Sequence, residues 1–210
     1  MRYPAIPPKF LTGKEPLIAS DGTIIGNVMD FWSWAYSDLI GNTERGTFAE
    51  YLVACALGVQ NQVRITWNRY DLISPEGITI EVKASGYIQM WEQTNRSSLS
   101  FGIQPTIGWD SKTNRYDTER IRQSQIYVFC VHKHSDQETV NPLEINQWDF
   151  YLLPTRILNE KVGPQKRITL SALIKIGAEI CAYENLHARI VALGKPDSSR
   201  NGNSLLDSLF

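Results

Sequence analysis

The chain has 210 residues, 42% of them hydrophobic and 20% charged, with 21 basic and 22 acidic side chains. That length suits one domain, since a single core grows to roughly 250 residues before splitting. A formal charge of −1 excludes a polybasic nucleic-acid coat, but not a nucleic-acid enzyme whose acidic metal ligands offset a basic cleft. No stretch approaches the roughly 18 apolar residues of a membrane span, and residues 1–13 are proline-rich without a signal peptide's apolar run. Cys55, Cys130 and Cys181 lie far apart in apolar segments, so they read as reduced core thiols of a cytoplasmic protein, not a disulfide frame or zinc site.

Taken in chain order, residues 1–27 hold Pro4, Pro7, Pro8, Gly13, Pro16, Gly22 and Gly26, which predicts an irregular arm laid over the core. Asp30 is placed to cap a helix running to about Ile40. A second helix is expected from Glu44 to Leu57, stopped by Gly58. Its apolar residues Phe48, Tyr51, Leu52, Cys55 and Ala56 follow helical spacing, and Val53, Ala54 and Leu57 fill the other flank, so the helix should be buried. Three short strands are predicted at Val63–Trp67, Tyr70–Ile73 and Ile78–Ala84, and another at Ser98–Ile103. Residues 86–94 suit either a short helix or an irregular crossover, and residues 108–118, with Asp110, Asn114 and Asp117, read as an exposed loop. Ile126–His132 and Trp148–Leu153 are strand-like apolar runs. Ser171 is expected to cap a short helix, and Ala182–Leu193 to form an amphipathic one with Leu186, Ile190 and Leu193 on one face. Residues 195–210 are rich in Ser, Asn, Asp and Gly and read as a mobile tail. The order predicts a single mixed α/β or α+β domain over residues 1–194.

The segment from Tyr70 to Ser85 carries the chemistry. Pro75 suits the first central position of a type I turn and Gly77 the left-handed residue after it, which makes a three-residue hairpin loop. Ser74 then faces Ile78, and the register sets Asp71 opposite Glu81. Opposite residues share a sheet face, and Lys83 joins them because strand side chains alternate; Leu72, Ile80 and Val82 point into the core. A two-residue loop would separate Asp71 from Glu81, so the convergence depends on the turn. Paired carboxylates on a rigid sheet suit Mg²⁺, which takes hard oxygen ligands and keeps several waters. A lysine beside the ion can orient water or stabilise charge on a phosphate. The plain alternative is a surface Glu81–Lys83 ion pair. Glu50 lies on the apolar helix, where a carboxylate is costly unless paired or metal-bound; a salt bridge to a strand arginine is its alternative reading.

Together, Arg45-Gly46-Thr47-Phe48-Ala49-Glu50 on the helix, Asp71 on the hairpin and Glu81-Val82-Lys83 on the next strand resemble the PD-(D/E)xK nuclease superfamily, with its restriction-endonuclease-like fold. Their order is similar to that in Holliday-junction resolvases and many restriction-type enzymes, over roughly residues 43–85, with Ile126–His132 as a later core strand. The rest looks like a set of uncharacterised bacterial proteins carrying this core. Tyr70 replaces the proline of the motif's name. The resemblance implies that Asp71 and Glu81 hold one or two Mg²⁺ ions (or Mn²⁺), that Glu50 assists, and that Lys83 acts on the water or the scissile phosphate. It also implies nucleic acid, most naturally DNA, as substrate, and a homodimer where both strands are cut.

Other candidates have two readings each. Gln89, beside Tyr87 and Trp91, follows the Glu-x-Lys strand as a nucleic-acid contact does in related nucleases, or is helix surface. Trp67, Arg69 and Tyr70 suit a base-stacking platform, or a core tryptophan beside a solvated arginine. Lys112, Arg115, Arg120 and Arg122 suit phosphates, although Asp110, Asp117 and Glu119 dilute the patch. His132 and His134 lack metal-spaced partners and read as structural or surface groups. The expected activity is metal-dependent phosphodiester hydrolysis; the alternative is a non-catalytic nucleic-acid-binding or oligomeric scaffold on the same core.

Overall fold

The computed structural model describes residues 3, 6–66, 68–110 and 115–194. The N-terminal segment is not wholly irregular: β1 (Pro16–Ile18) and β2 (Ile24–Asn27) pair as an antiparallel hairpin. Its turn uses Gly22 at φ 86° and an aspartate, Asp21, whose side chain accepts from the Thr23 amide at 2.9 Å. Helix α1 (Val28–Tyr36) is capped by Asn27, not by Asp30. Asp30 is the third helical residue and returns the bond: Asn27 accepts from the Asp30 amide at 3.0 Å, and Asp30 from the Asn27 amide at 2.8 Å. None of α1 is buried.

Helix α2 (Asn42–Leu57) ends on Gly58, whose φ of 72° is the left-handed cap that glycine favours. It packs one side on the sheet, burying Ala49, Leu52, Val53, Ala54 and Leu57, while Tyr51 stays exposed, so its burial is one-sided and not all-round as its composition suggests. Residues 63–66 form no strand, and Trp67 lies outside the described residues. Strand β3 (Leu72–Ile73) is shorter than predicted and β4 (Thr79–Gly86) slightly longer. The crossover after β4 is irregular, and leads to β5 (Ser100–Gly102).

The expected loop at 108–118 is corrected. β6 (Thr106–Asp110) and β7 (Arg115–Ile121) form an antiparallel ribbon, in which Trp109 faces Tyr116. A ribbon with β7 mostly exposed needs no apolar alternation, so its polar sequence hides it. Lys112 and Asn114 lie outside the described residues. Strands β8 (Ile126–His132) and β9 (Trp148–Pro154) fall where the apolar runs put them. Helix α3 (Thr155–Val162), β10 (Arg167–Thr169) and α4 (Leu170–Lys175) follow, with Thr169 and not Ser171 capping α4. The chain then adds β11 (Glu179–Cys181), a 3₁₀ turn over Tyr183–Asn185 and α5 (Leu186–Gly194), a later start than the predicted Ala182. The predicted tail at 195–210 lies outside the described residues.

The fold is mixed α/β. Its five-stranded sheet runs β11-β9-β8-β4-β3, with β4 and β8 parallel at the centre and the other neighbours antiparallel. One face packs Ile80, Val82, Val128, Cys130 and Phe150 against α2 and α5. The other packs Tyr127, Phe129 and Leu153 against Phe101, Leu158 and Leu173. Cys130 is buried, and Cys55 and Cys181 are half-buried. Among the described residues, no helix is long and apolar enough to cross a membrane.

Candidate active site

The loop of the hairpin carrying the acidic pair has the geometry its sequence predicts. Ser74 and Ile78 close the loop through Ser74 N–H to Ile78 O at 2.9 Å and Gly77 N–H to Ser74 O at 2.9 Å. Gly77 takes φ 84°, which a side chain would strain. The register Leu72↔Ile80 and Ile73↔Thr79 ends at Leu72, and the Asp71 amide donates to Ile80 O at 3.1 Å, one residue out of step with that register. Leu72, Ile80 and Val82 turn to the α2 face, which leaves Glu81 and Lys83 on the other, and the Asp71 charge acts on both.

The contacts at the site are specific. Asp71 Oδ2 accepts from the Val82 amide at 2.8 Å, which fixes the carboxylate across the strand pair. The Lys83 ammonium lies 2.6 Å from Glu81 Oε1, and Ser124 Oγ donates to Glu81 Oε2 at 3.3 Å. Glu50 reaches the group from α2 and is held by one edge of the Arg64 guanidinium, with Nη2 2.7 Å from Oε1 and Nε on Oε2. Arg64 also lies 3.4 Å from Thr66 Oγ1. The sequence reading missed Arg64 and Ser124, since neither belongs to a local motif.

Electrostatics tie these groups into one cluster. Burial raises the Glu81 pKa and the Asp71 charge raises it further, while Lys83 pulls it back. Burial likewise raises Glu50, the bond from Arg64 opposes this, and Asp71 again repels. Burial works to lower the Lys83 pKa, but Glu81, Asp71 and Glu50 outweigh it and the net direction is up, so Lys83 is a cation at neutral pH. Three carboxylates against one ammonium and one guanidinium leave the cluster with a surplus of negative charge.

Among the described residues, no three His, Cys, Asp or Glu side chains gather closely enough to make a complete metal ligand set. Asp71 acts on Glu81 through its charge, and Glu50 is paired with Arg64. Two hard carboxylates held this near one another are nonetheless the donor type that Mg²⁺ or Mn²⁺ takes.

The remaining candidates are placed differently. Gln89 is buried; its Oε1 accepts from Arg45 Nη2 at 3.1 Å and its Nε2 donates to Gly86 O at 2.9 Å. Arg45, only 2% exposed, also donates from Nη1 to Ile88 O at 3.1 Å, so this residue of the helix motif braces the chain beyond β4. Arg122, 6% exposed, bonds Ile103 O at 2.7 Å, Asn159 Oδ1 at 2.7 Å, Gly163 O at 2.8 Å and Gln165 O at 3.2 Å. Arg69 bonds Asp117 at 3.0 Å and Trp109 O at 3.3 Å, fastening the β6–β7 ribbon beside Asp71. His132 is buried against Trp148, while His134 pairs with Thr139 on the surface.

Two clefts are lined in part by residues of the cluster. One of about 300 Å³ is lined by Glu50, Arg64, Tyr70 and Asp71. The other, of about 340 Å³, begins at Lys83. Residues 8–170 match the family model described as bacteriophage T4 endonuclease IV, a span that contains Glu50, Arg64, Asp71, Glu81 and Lys83. No curated protein matches the chain.

Proposed function

The chain belongs to the bacteriophage T4 endonuclease IV family, and from that premise we propose that it is a metal-dependent endonuclease hydrolysing phosphodiester bonds of DNA, with a PD-(D/E)xK-type site. The observation that supports the reading is the cluster of Asp71, Glu81 and Lys83, in which the Asp71 charge acts on both others and the Lys83 ammonium lies 2.6 Å from Glu81.

Bound Mg²⁺ or Mn²⁺ would supply Lewis-acid polarisation of the phosphate and a more acidic bound water. Asp71 and Glu81 would hold that ion. The Asp71 carboxylate is fixed by the Val82 amide, which donates to Oδ2. Glu81 is steadied by Ser124 from one side and Lys83 from the other. Lys83 orients the attacking water and offsets the charge that gathers on the phosphoryl oxygens. Glu50 lends its negative charge from the side and holds Arg64 in an ion pair. Water adds in line: its oxygen bonds phosphorus, the bond to one sugar oxygen breaks, and that oxygen takes up a proton.

The test is cleavage of a panel (linear duplex, supercoiled plasmid, single strand, branched junction, RNA) with Mg²⁺ or Mn²⁺, beside a Lys83→Ala control. The reading expects DNA cleavage that stops with chelator and falls at least a hundredfold in the variant. Cleavage unaffected by chelator or by Lys83→Ala overturns it. Binding without any cleavage favours a nucleic-acid scaffold.

A further inference from the structure

We propose that the cleft on the Lys83 side seats the nucleotide next to the scissile phosphate, with Arg167 on its phosphate and Trp91 against its base. The proposal rests on the nuclease reading above and extends it from the reacting phosphate to its neighbour.

The cleft holds about 340 Å³ and is lined by Lys83, Ser85, Trp91, Ser98, Ser100 and Arg167, among others. That lies at the small end of ligand pockets, with room for about one nucleotide. Two cations line it and no carboxylate does, in a chain whose formal charge is −1. The other cleft at the site is lined by Glu50 and Asp71, by Arg64, whose charge is paired with Glu50, and by apolar side chains such as Val59, Leu72 and Ile73. Of the two, the Lys83 cleft is therefore the one with the charge to receive an anion.

The parts come from three strands and the crossover between two of them. Lys83 and Ser85 come from β4, the second strand of the hairpin that carries Glu81. Ser100 lies on β5, and Arg167 on β10, which pairs with β5 in the register Arg167↔Gly102. Arg167 Nη2 donates to Ser100 Oγ at 2.8 Å, which holds the guanidinium at the cleft. Hydroxyls and a planar cation on strand backbone are the donors that phosphate oxygens accept from. Trp91 sits in the crossover after β4 and is 53% exposed. Its segment is tied down by Gln93, which accepts from the Gln89 amide at 2.7 Å and donates to Tyr87 O at 3.1 Å and Ser97 Oγ at 3.1 Å. A large ring held open to water on an anchored loop is a stacking surface for a base. A strand passing from this cleft to Asp71 carries its phosphate across Lys83.

The experiment compares wild type with Arg167→Gln, Trp91→Ala and Trp91→Phe. Affinity for fluorescein-labelled oligodeoxynucleotides is measured in EDTA across a salt series, and cleavage kinetics with Mn²⁺. All four proteins are first compared for melting temperature. Arg167→Gln is expected to weaken binding about tenfold and to reduce the slope of log affinity against log salt by about 1, the loss of one phosphate contact. In cleavage it raises KM with kcat within about twofold. Trp91→Ala weakens binding about tenfold with the salt slope unchanged, and Trp91→Phe restores most of it. Unchanged affinity and salt slope in Arg167→Gln, or equal losses in both Trp91 variants, overturn the cleft assignment while leaving the nuclease reading intact. A wild type that binds but does not cleave, with the variants still weakened, keeps the cleft and removes the nuclease reading.

Discussion

Arg64 grips Glu50 through the Nε–Nη2 edge of its guanidinium, joining an irregular segment after α2 to the helix 14 residues earlier in the chain. Glu50 keeps 12% of its side-chain surface exposed and Arg64 42%, so the pair is half in water and half out. Removing the arginine leaves a desolvated carboxylate beside Asp71. Arg64→Ala is expected to cost about 1–2 kcal/mol, solvent screening keeping it below the fully buried case. In a Glu50→Gln background the same substitution should cost much less. Denaturant unfolding of the four proteins of the cycle gives the coupling, and additive costs would contradict the pairing.

The turn that aligns the acidic pair gives a second prediction. Gly77 holds φ 84°, so Gly77→Ala should lose about 1 kcal/mol of stability by backbone strain. Gly77→Asn should lose less, since asparagine tolerates that region. Because the turn brings Asp71 near β4, cleavage should fall more in the alanine variant than its stability loss explains. Chemical denaturation and steady-state rates on the same samples check both halves.

That turn is also why this part of the site was legible. Pro75, Glu76 and Gly77 fix a local loop that pairs Leu72 with Ile80 and brings Asp71 near β4, and the strand period carries Glu81 and Lys83 to one face with no long-range information. The β8 and β9 runs were legible for a similar reason, since they are buried in the sheet and almost wholly apolar. Arg64 was not legible: it lies in residues 63–66, whose composition is strand-like but which form no strand. Its partner could be identified as needing a cation, though not which one. The ribbon of β6 and β7 was hidden because its polar sequence lacks the apolar alternation that marks a strand.

Arg122 illustrates a residue whose charge suggested one role and whose surroundings define another. Its guanidinium bonds three backbone carbonyls and Asn159, joining the start of β8 to α3 and the turn beyond it. Arg122→Lys cannot reproduce that fork. It should destabilise the fold by about 2–4 kcal/mol, as the loss of a buried network does. Thermal melts should show the drop, and nucleic-acid affinity per folded molecule should not change.

His132 predicts an acid-sensitive step in stability. It is 0% exposed, and burial, reinforced by the nearby Arg45 charge, lowers its pKa from 6.5 to about 4. The unfolded chain therefore binds the proton more readily. The stability tied to the neutral ring is complete above pH 6.5 and is lost as pH falls from there toward 4, by up to about 3 kcal/mol. Glu50 and Glu81, with raised pKa values, act in the opposite sense as pH falls. The comparison must therefore be between wild type and His132→Phe. Unfolding free energies at a series of pH values should diverge below pH 6.5, with the wild type declining more steeply.

The central claim is that Asp71 and Glu81 hold a divalent cation beside Lys83, and calorimetric titration of Mn²⁺ into the wild type and Asp71→Asn tests it most directly. The account predicts saturable binding by the wild type and its loss in a variant that melts within a few degrees of it. Equal binding by the two proteins, or none by the wild type even with an uncleavable oligonucleotide present, would contradict it.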